Sequence, residues 1–302
     1  MASKKTVIFI VGPTAVGKTS IAIELAIELG CEIISADSRQ FYKDISLGTA
    51  KPSKEELSQA KHHFIDFLPL QELYSAGDFE RDALSFLESY FQSNNVCICT
   101  GGSGLYVSAL LYGLDDLPSS ESVRAELNEL LVSDGIETLQ NELKIIDPEH
   151  YAAMDIHNTQ RLIRALEVCK VSGEQYSKLR TSSKKERPFQ SVIIGLNRDR
   201  EELYDRINRR VDAMLDDGLL DEVKSVMPMK HLNSLQTVGY REFFASYSGE
   251  YDMEEAVRLV KRNSRRFAKR QVTWFKRYKE IEWFNPKDFN AIVAHTKDLL
   301  AK

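Results

Sequence analysis

The stretch Gly12-Pro13-Thr14-Ala15-Val16-Gly17-Lys18-Thr19 constrains this chain more than any other. It fits G-x-x-x-x-G-K-[ST], and its flanks fit as well. Thr6 to Val11 is short, apolar and β-branched, the composition of a buried strand. Beyond the loop, Ile21, Ala22, Leu25, Ala26 and Leu29 recur at helical spacing, and Gly30 stands where a helix ends. Strand, glycine-rich turn and helix N-terminus together cradle phosphate, because backbone N–H groups converge on the anion and the helix dipole adds positive charge. Lys18 brings a full charge to the outer phosphates of a di- or triphosphate, and Thr19 offers a hydroxyl to Mg²⁺. The fold class expected is α/β, with a P-loop NTPase-like core, a parallel sheet flanked by helices and a helical insertion. The loop does not say which group is transferred.

At 302 residues the chain suits one large domain with an insertion, and 43% apolar content supports a sizeable core. No apolar run approaches a transmembrane length. Met1-Ala2-Ser3-Lys4-Lys5 leads into the first strand without the apolar segment of a signal peptide. Cys31, Cys97, Cys99 and Cys169 form no C-x-x-C pair, so neither zinc nor redox chemistry is signalled and a reducing, cytoplasmic setting is expected. The net charge of −5 argues against nucleic acid. Its distribution argues the other way: ten Lys or Arg, and no Asp or Glu, fall between Arg258 and Lys279. Arg258, Arg262, Arg265 and Lys269 share one face of a helix there. A cationic face of that kind can bind a polyanion whatever the global sum.

Two further strands end in polar turns. Cys31 to Ala36 runs into Asp37-Ser38-Arg39-Gln40, and Asn95 to Thr100 into Gly101-Gly102-Ser103-Gly104. Ligands of open α/β sheets bind past the carboxyl ends of strands, so Asp37 and Ser103 should share a crevice with the phosphate loop. Thr100 stands where a P-loop kinase often carries an acid. Adjacent His62 and His63 point to opposite sides of a strand and are expected to be structural. Ser53-x-x-Glu56 and Ser75-x-x-Asp78 read as helix-capping signatures. The core is expected over 1–113 and 189–302, and the mainly helical insertion over 114–188. Within the insertion, Thr159 to Val171 should be amphipathic, with Leu162, Leu166 and Cys169 on one side and Gln160, Arg161, Arg164 and Glu167 on the other.

Eight blocks in order complete the pattern: GPTAVGKT, SADSRQFY, GTAKP, YSAGDF, GGSGLY, QRLIRALEV, VGYRE and KRQVTWF. From Gly12 to Phe275 the chain resembles the bacterial tRNA dimethylallyltransferases. The resemblance implies transfer of a dimethylallyl group from dimethylallyl diphosphate to N6 of the adenosine 3′ of the anticodon, with Mg²⁺ assisting and diphosphate leaving. It implies that Asp37 is the general base, with Ser103 beside it, and that residues 12–19 hold diphosphate. Arg206 or Arg210 would add a further cation. By the same resemblance, tRNA contacts fall to Asp37, Ser38, Arg39, Gln40, Ser103, Arg124, Gln160, Arg161, Leu162, Ile163, Arg164, Gly239, Tyr240, Arg241, Lys269 and Arg270.

A monomer that meets the anticodon stem-loop of tRNA, away from any membrane, is expected. The family usually has Thr where this chain has Ser103, which keeps the hydroxyl. No Cys follows Cys169, so the zinc-finger pattern of eukaryotic relatives is not found. An adenylate isopentenyltransferase, a P-loop small-molecule kinase and a non-catalytic RNA-binding protein are the competing readings. The Gln160-Arg161-Leu162-x-Arg164 run and the basic helix favour tRNA.

Overall fold

The computed structural model describes residues 4–181 and 183–301. The chain forms two compact units, one ending at Leu111 and resuming at Arg187, the other spanning Tyr112–Glu186. In the first unit, β1 (Thr6–Val11), α1 (Lys18–Leu29), β2 (Ile33–Ser35), α2 (Lys54–Gln59), β3 (His62–His63), α3 (Ala76–Tyr90), β4 (Val96–Gly101) and α4 (Gly104–Tyr112) follow in order. The second unit contributes α5 (Glu121–Asp134), α6 (Ile136–Ile146), α7 (Pro148–Ala153), α8 (Thr159–Ser172) and α9 (Tyr176–Leu179). The chain then returns with β5 (Gln190–Leu196), α10 (Arg200–Asp216), α11 (Leu219–Val226), α12 (Arg241–Tyr247), α13 (Met253–Phe275), β6 (Glu282–Phe284) and α14 (Phe289–Leu300).

Among the described residues the strands form one six-stranded sheet, ordered β3-β2-β4-β1-β5-β6, in which every pairing is parallel. All of β1 is buried, as expected of a central strand covered on both faces. Ile8, Ile10, Leu25, Ile98, Ile194 and Ile292 belong to one core that joins the sheet to α1, α10, α13 and α14. Local signals set the helix ends. Ser53 with Glu56, and Ser75 with Asp78, form complete capping boxes. Gly30, at φ 61°, closes α1 in the left-handed conformation.

Nothing in the sequence announced β6. It is three residues long and pairs with Ile194–Leu196, with Phe284 packed beside His295. The thiols of Cys97 and Cys99 are buried in β4, as expected. His63 is also structural, with Nε2 on Glu32 at 2.5 Å and its ring 4.1 Å from that of Phe86. No helix among the described residues is long and apolar enough to cross a membrane.

The helical unit has its own core of Leu127, Leu139, Leu143, Leu162, Ile163 and Leu166. Leu162 is fully buried and Ile163 nearly so, which gives these side chains to the core, a correction to the expected contact set. Glu167 is corrected too: it is 1% exposed instead of lying on a solvated face. It accepts from Ser120 N at 3.0 Å, Arg124 Nη2 at 2.6 Å and Arg164 Nη1 at 2.8 Å. Arg164 also donates to the carbonyls of Leu117 and Pro118.

Candidate active site

The phosphate loop turns because two glycines permit it. At Gly12, φ is 151°, and a Cβ there would stand 2.5 Å from the Leu196 carbonyl oxygen. Gly17, at φ 110°, opens α1 in the left-handed conformation with no side-chain cap, which leaves the first amides of the helix to a ligand. Between them Ala15 sits at φ 61°, which costs a residue with a Cβ about 1–2 kcal/mol. Three arginines brace this strained turn. Arg198 Nε donates to the Val16 carbonyl at 2.8 Å and Arg206 Nε to that of Ala15 at 2.9 Å. Arg210 reaches Thr14 Oγ1 and the Ala50 carbonyl, both at 3.4 Å. Arg198 is also paired with Glu202 at 2.7 Å. No motif pointed to Arg198, because its partner lies 182 residues away.

A crevice of about 1370 Å³ opens past the carboxyl ends of the strands. The phosphate loop, Asp37, Ser103 and Arg210 all line it, as the strand-end rule requires. Ser103 Oγ accepts from the Ser38 amide at 2.9 Å and donates to Ser38 Oγ at 3.1 Å. Ser103 is thereby held against Ser38, the residue after Asp37. Asp37 Oδ1 accepts from the Arg39 amide at 3.1 Å, which fixes one oxygen of the carboxylate. Arg39 Nη1 is held on the Asn233 carbonyl at 2.9 Å. Gln40 faces its own protein: its Nε2 donates to the carbonyls of Thr49 and Ala50, and its Oε1 accepts from Ser35 Oγ. Thr100, in the acid's expected place, donates its hydroxyl to the Ile10 carbonyl.

Lys18 rests on the Pro13 carbonyl at 2.9 Å. Burial pushes its ammonium down to about 8; Asp37 opposes the shift and Arg210 adds to it. Lys18, Arg206 and Arg210 thus concentrate positive charge along the crevice, an arrangement that suits an anion.

A contact missed by the sequence reading ties this site to the basic helix. Gln271, 5% exposed, accepts from the Thr14 amide at 2.8 Å and donates to the Gly102 carbonyl at 2.9 Å. One amide side chain on α13 thereby spans the phosphate loop and the Ser103 turn. Gln271 lies in the KRQVTWF block, where no local pattern marks its amide, because its partners Thr14 and Gly102 are 257 and 169 residues away.

The cationic face differs from the expected one. Arg258 is paired with Glu255 and Lys261 with Asp212, while Arg265 donates to Asn208 Oδ1 at 2.6 Å. Arg266, Lys269, Arg270, Lys276, Arg277 and Lys279 are exposed, so the usable charge lies at the far end of α13. There Arg277 stacks 3.8 Å from the centroid of Trp274. Arg241 is exposed, whereas Gly239 is buried and Tyr240 is fully buried with its hydroxyl on Glu222. Tyr240 is therefore withdrawn from the expected RNA contacts. Gln160 and Arg161 remain exposed on the helical unit.

A parallel sheet with a glycine-rich loop after β1 and a carboxylate after β2 defines an α/β protein of P-loop NTPase-like fold. The IPP transferase family model matches residues 40–278, and the chain belongs to that family. It is 49% identical to a tRNA dimethylallyltransferase of Christiangramia forsetii, over 91% of each chain. It is 46% identical to tRNA dimethylallyltransferase 1 of Bacteroides fragilis, over 96% of this chain and 97% of that one. Among solved structures, the full-length tRNA isopentenylpyrophosphate transferase of Bacillus halodurans superposes with a TM-score of 0.73 at 38% identity, covering 99% and 97% of the two chains. A eukaryotic dimethylallyltransferase acting on tRNA shares the fold, with a TM-score of 0.82 at 24% identity over 98% of this chain and 80% of that one.

Proposed function

We propose that this protein transfers a dimethylallyl group from dimethylallyl diphosphate to N6 of the adenosine that follows the anticodon in tRNA. One observation carries the assignment of roles: Asp37 and the Lys18 cradle line the same crevice. The allylic C1–O bond breaks, a C1–N6 bond forms, an N6 proton passes to Asp37 and diphosphate leaves. The adenine amine is a weak nucleophile because its lone pair is delocalised, so a carboxylate that takes its proton lowers the barrier. The Arg39 amide holds Oδ1 of that carboxylate and leaves Oδ2 for the proton. Lys18, the first amides of α1 and Arg210 meet the charge that grows on the leaving diphosphate.

The donor set suits Mg²⁺. Among the described residues no three His, Cys, Asp or Glu side chains cluster into a protein cage. Mg²⁺ commonly binds through few protein oxygens plus substrate phosphates. Thr19 would hold it, and when bound it supplies charge neutralisation at the diphosphate. Extrusion of the target base costs a few kcal/mol, least in a single-stranded loop. Exposed Arg241, Lys269, Arg270 and Arg277 support backbone and stacking contacts that offset that cost. A monomer is the working unit in this reading, and a tRNA substrate fits a cytoplasmic enzyme.

Labelled dimethylallyl diphosphate and Mg²⁺, offered with unmodified tRNA in one arm and AMP in the other, test the proposal. Label on tRNA alone is expected. Label on AMP alone would assign the adenylate reaction instead, and label on neither would overturn the transferase reading.

A further inference from the structure

Glu222, on α11, stands outside every motif and outside the chemistry above. Its carboxylate accepts four hydrogen bonds. Three come from consecutive backbone amides, those of Ser46 at 2.7 Å, Leu47 at 2.8 Å and Gly48 at 2.9 Å. The fourth comes from the Tyr240 hydroxyl at 2.6 Å. Successive amides converging on one point form an anion-binding nest, here filled by the protein's own carboxylate. Gly48 has to be glycine for this: a Cβ there would lie 2.5 Å from the Tyr240 ring. The loop so held continues into Thr49 and Ala50, whose carbonyls take both donors of Gln40, three residues after Asp37. Ala50 also takes Arg210, whose other arm reaches Thr14 of the phosphate loop. Both sides of the crevice, the Asp37 strand end and the diphosphate cradle, lean on one loop.

We propose that Glu222 is a positioning residue for the transfer reaction, clasping residues 46–48 so that the loop they begin holds Gln40 and Arg210 in place around the diphosphate. The inference rests on the reaction proposed above. Its test therefore reads diphosphate binding separately from transfer.

Calorimetry with inorganic pyrophosphate and Mg²⁺ is run on the wild type, Glu222→Ala and the isosteric Glu222→Gln, each with and without sodium acetate, sodium chloride matching the ionic strength. Loss of the charged acceptor is expected to weaken pyrophosphate binding about tenfold in the alanine variant. Acetate, entering the vacated nest, is expected to recover part of that loss while leaving the wild type unchanged. The glutamine variant keeps the volume and sets an amide NH₂ against N–H donors, so it is expected to lose about threefold without acetate recovery. In transfer assays the same variants should raise the KM for dimethylallyl diphosphate more than they lower kcat. Unchanged pyrophosphate affinity in the glutamine variant, or an alanine loss that acetate does not touch, would overturn the role of Glu222. Absence of transfer by the wild type would overturn the reaction while the pyrophosphate arms still decide the clasp.

Discussion

Two groups of arginines carry opposite lessons. Around the phosphate loop, Arg206 and Arg210 donate to carbonyls and a hydroxyl, neutral acceptors that fix the guanidinium and leave its charge in place. In the helical unit, Arg124 and Arg164 both donate to the buried carboxylate of Glu167, which fixes them and offsets one of their two charges. The first arrangement is a cation held ready for an anion. The second is a structural ion pair that anchors residues 117–120 to α8. Residue type alone does not separate them, and the chemistry of the partner does.

The largest effect expected on the catalytic side of this comparison is at Asp37. Asp37→Ala should lower kcat about 10²–10⁴-fold, the usual worth of a positioned general base, while tRNA binding by filter retention stays near wild type. Near-full turnover would move the base role elsewhere. Arg210→Ala should cost about 10²-fold in kcat/KM, since it removes a charge aimed at the leaving group. Arg164→Ala should cost little in kcat/KM and should show instead as a lowered thermal midpoint. If both arginines affected turnover equally, the distinction between carbonyl-held and carboxylate-held guanidinium groups would fail. Glu167→Ala leaves two guanidinium groups without their shared counter-charge and should destabilise the helical unit by about 2–3 kcal/mol, read by denaturant unfolding.

The parts legible in the sequence were those whose causes are local. The phosphate loop, the capping boxes at Ser53 and Ser75 and the buried run of β1 each carry their reason within a few residues. The shared crevice was legible too, because sheet topology places strand ends together. What escaped is long-range. Glu222 binds amides 174 to 176 residues away, and Gln271 binds the Thr14 amide across 257. Tyr240 and Leu162 show the reverse error: each sits in a block that the resemblance joined to RNA, yet each is buried. A motif includes the residues that shape a site as well as those that touch the ligand.

The charge state of Lys18 sharpens the comparison through pH. Its folded-state value of about 8 lies below the ordinary 10.5, so the unfolded chain binds more protons between those limits. Stability should therefore rise with pH across that window when no diphosphate is added. Diphosphate affinity should do the opposite. Pyrophosphate needs the ammonium charged, so calorimetric affinity should fall above about pH 8, by at most about tenfold per unit. Asp37→Asn removes the group that opposes the shift and should move this fall to lower pH. A flat affinity from pH 7 to 9 would show that the loop amides and arginines bind the anion without Lys18.

The smallest effect expected belongs to the basic helix, and it separates the two halves of α13. Lys261 is matched by Asp212, whereas Lys269 is exposed. Each phosphate contact contributes about one unit to the slope of log affinity against log salt. Lys269→Ala should therefore reduce the slope for tRNA by about one, and Lys261→Ala should leave it nearly unchanged. The same contrast should appear between Arg270 and Arg258. Equal slopes for all four variants would mean that the polyanion rearranges the ion pairs on binding, and the partner-based distinction would then hold only for the free protein.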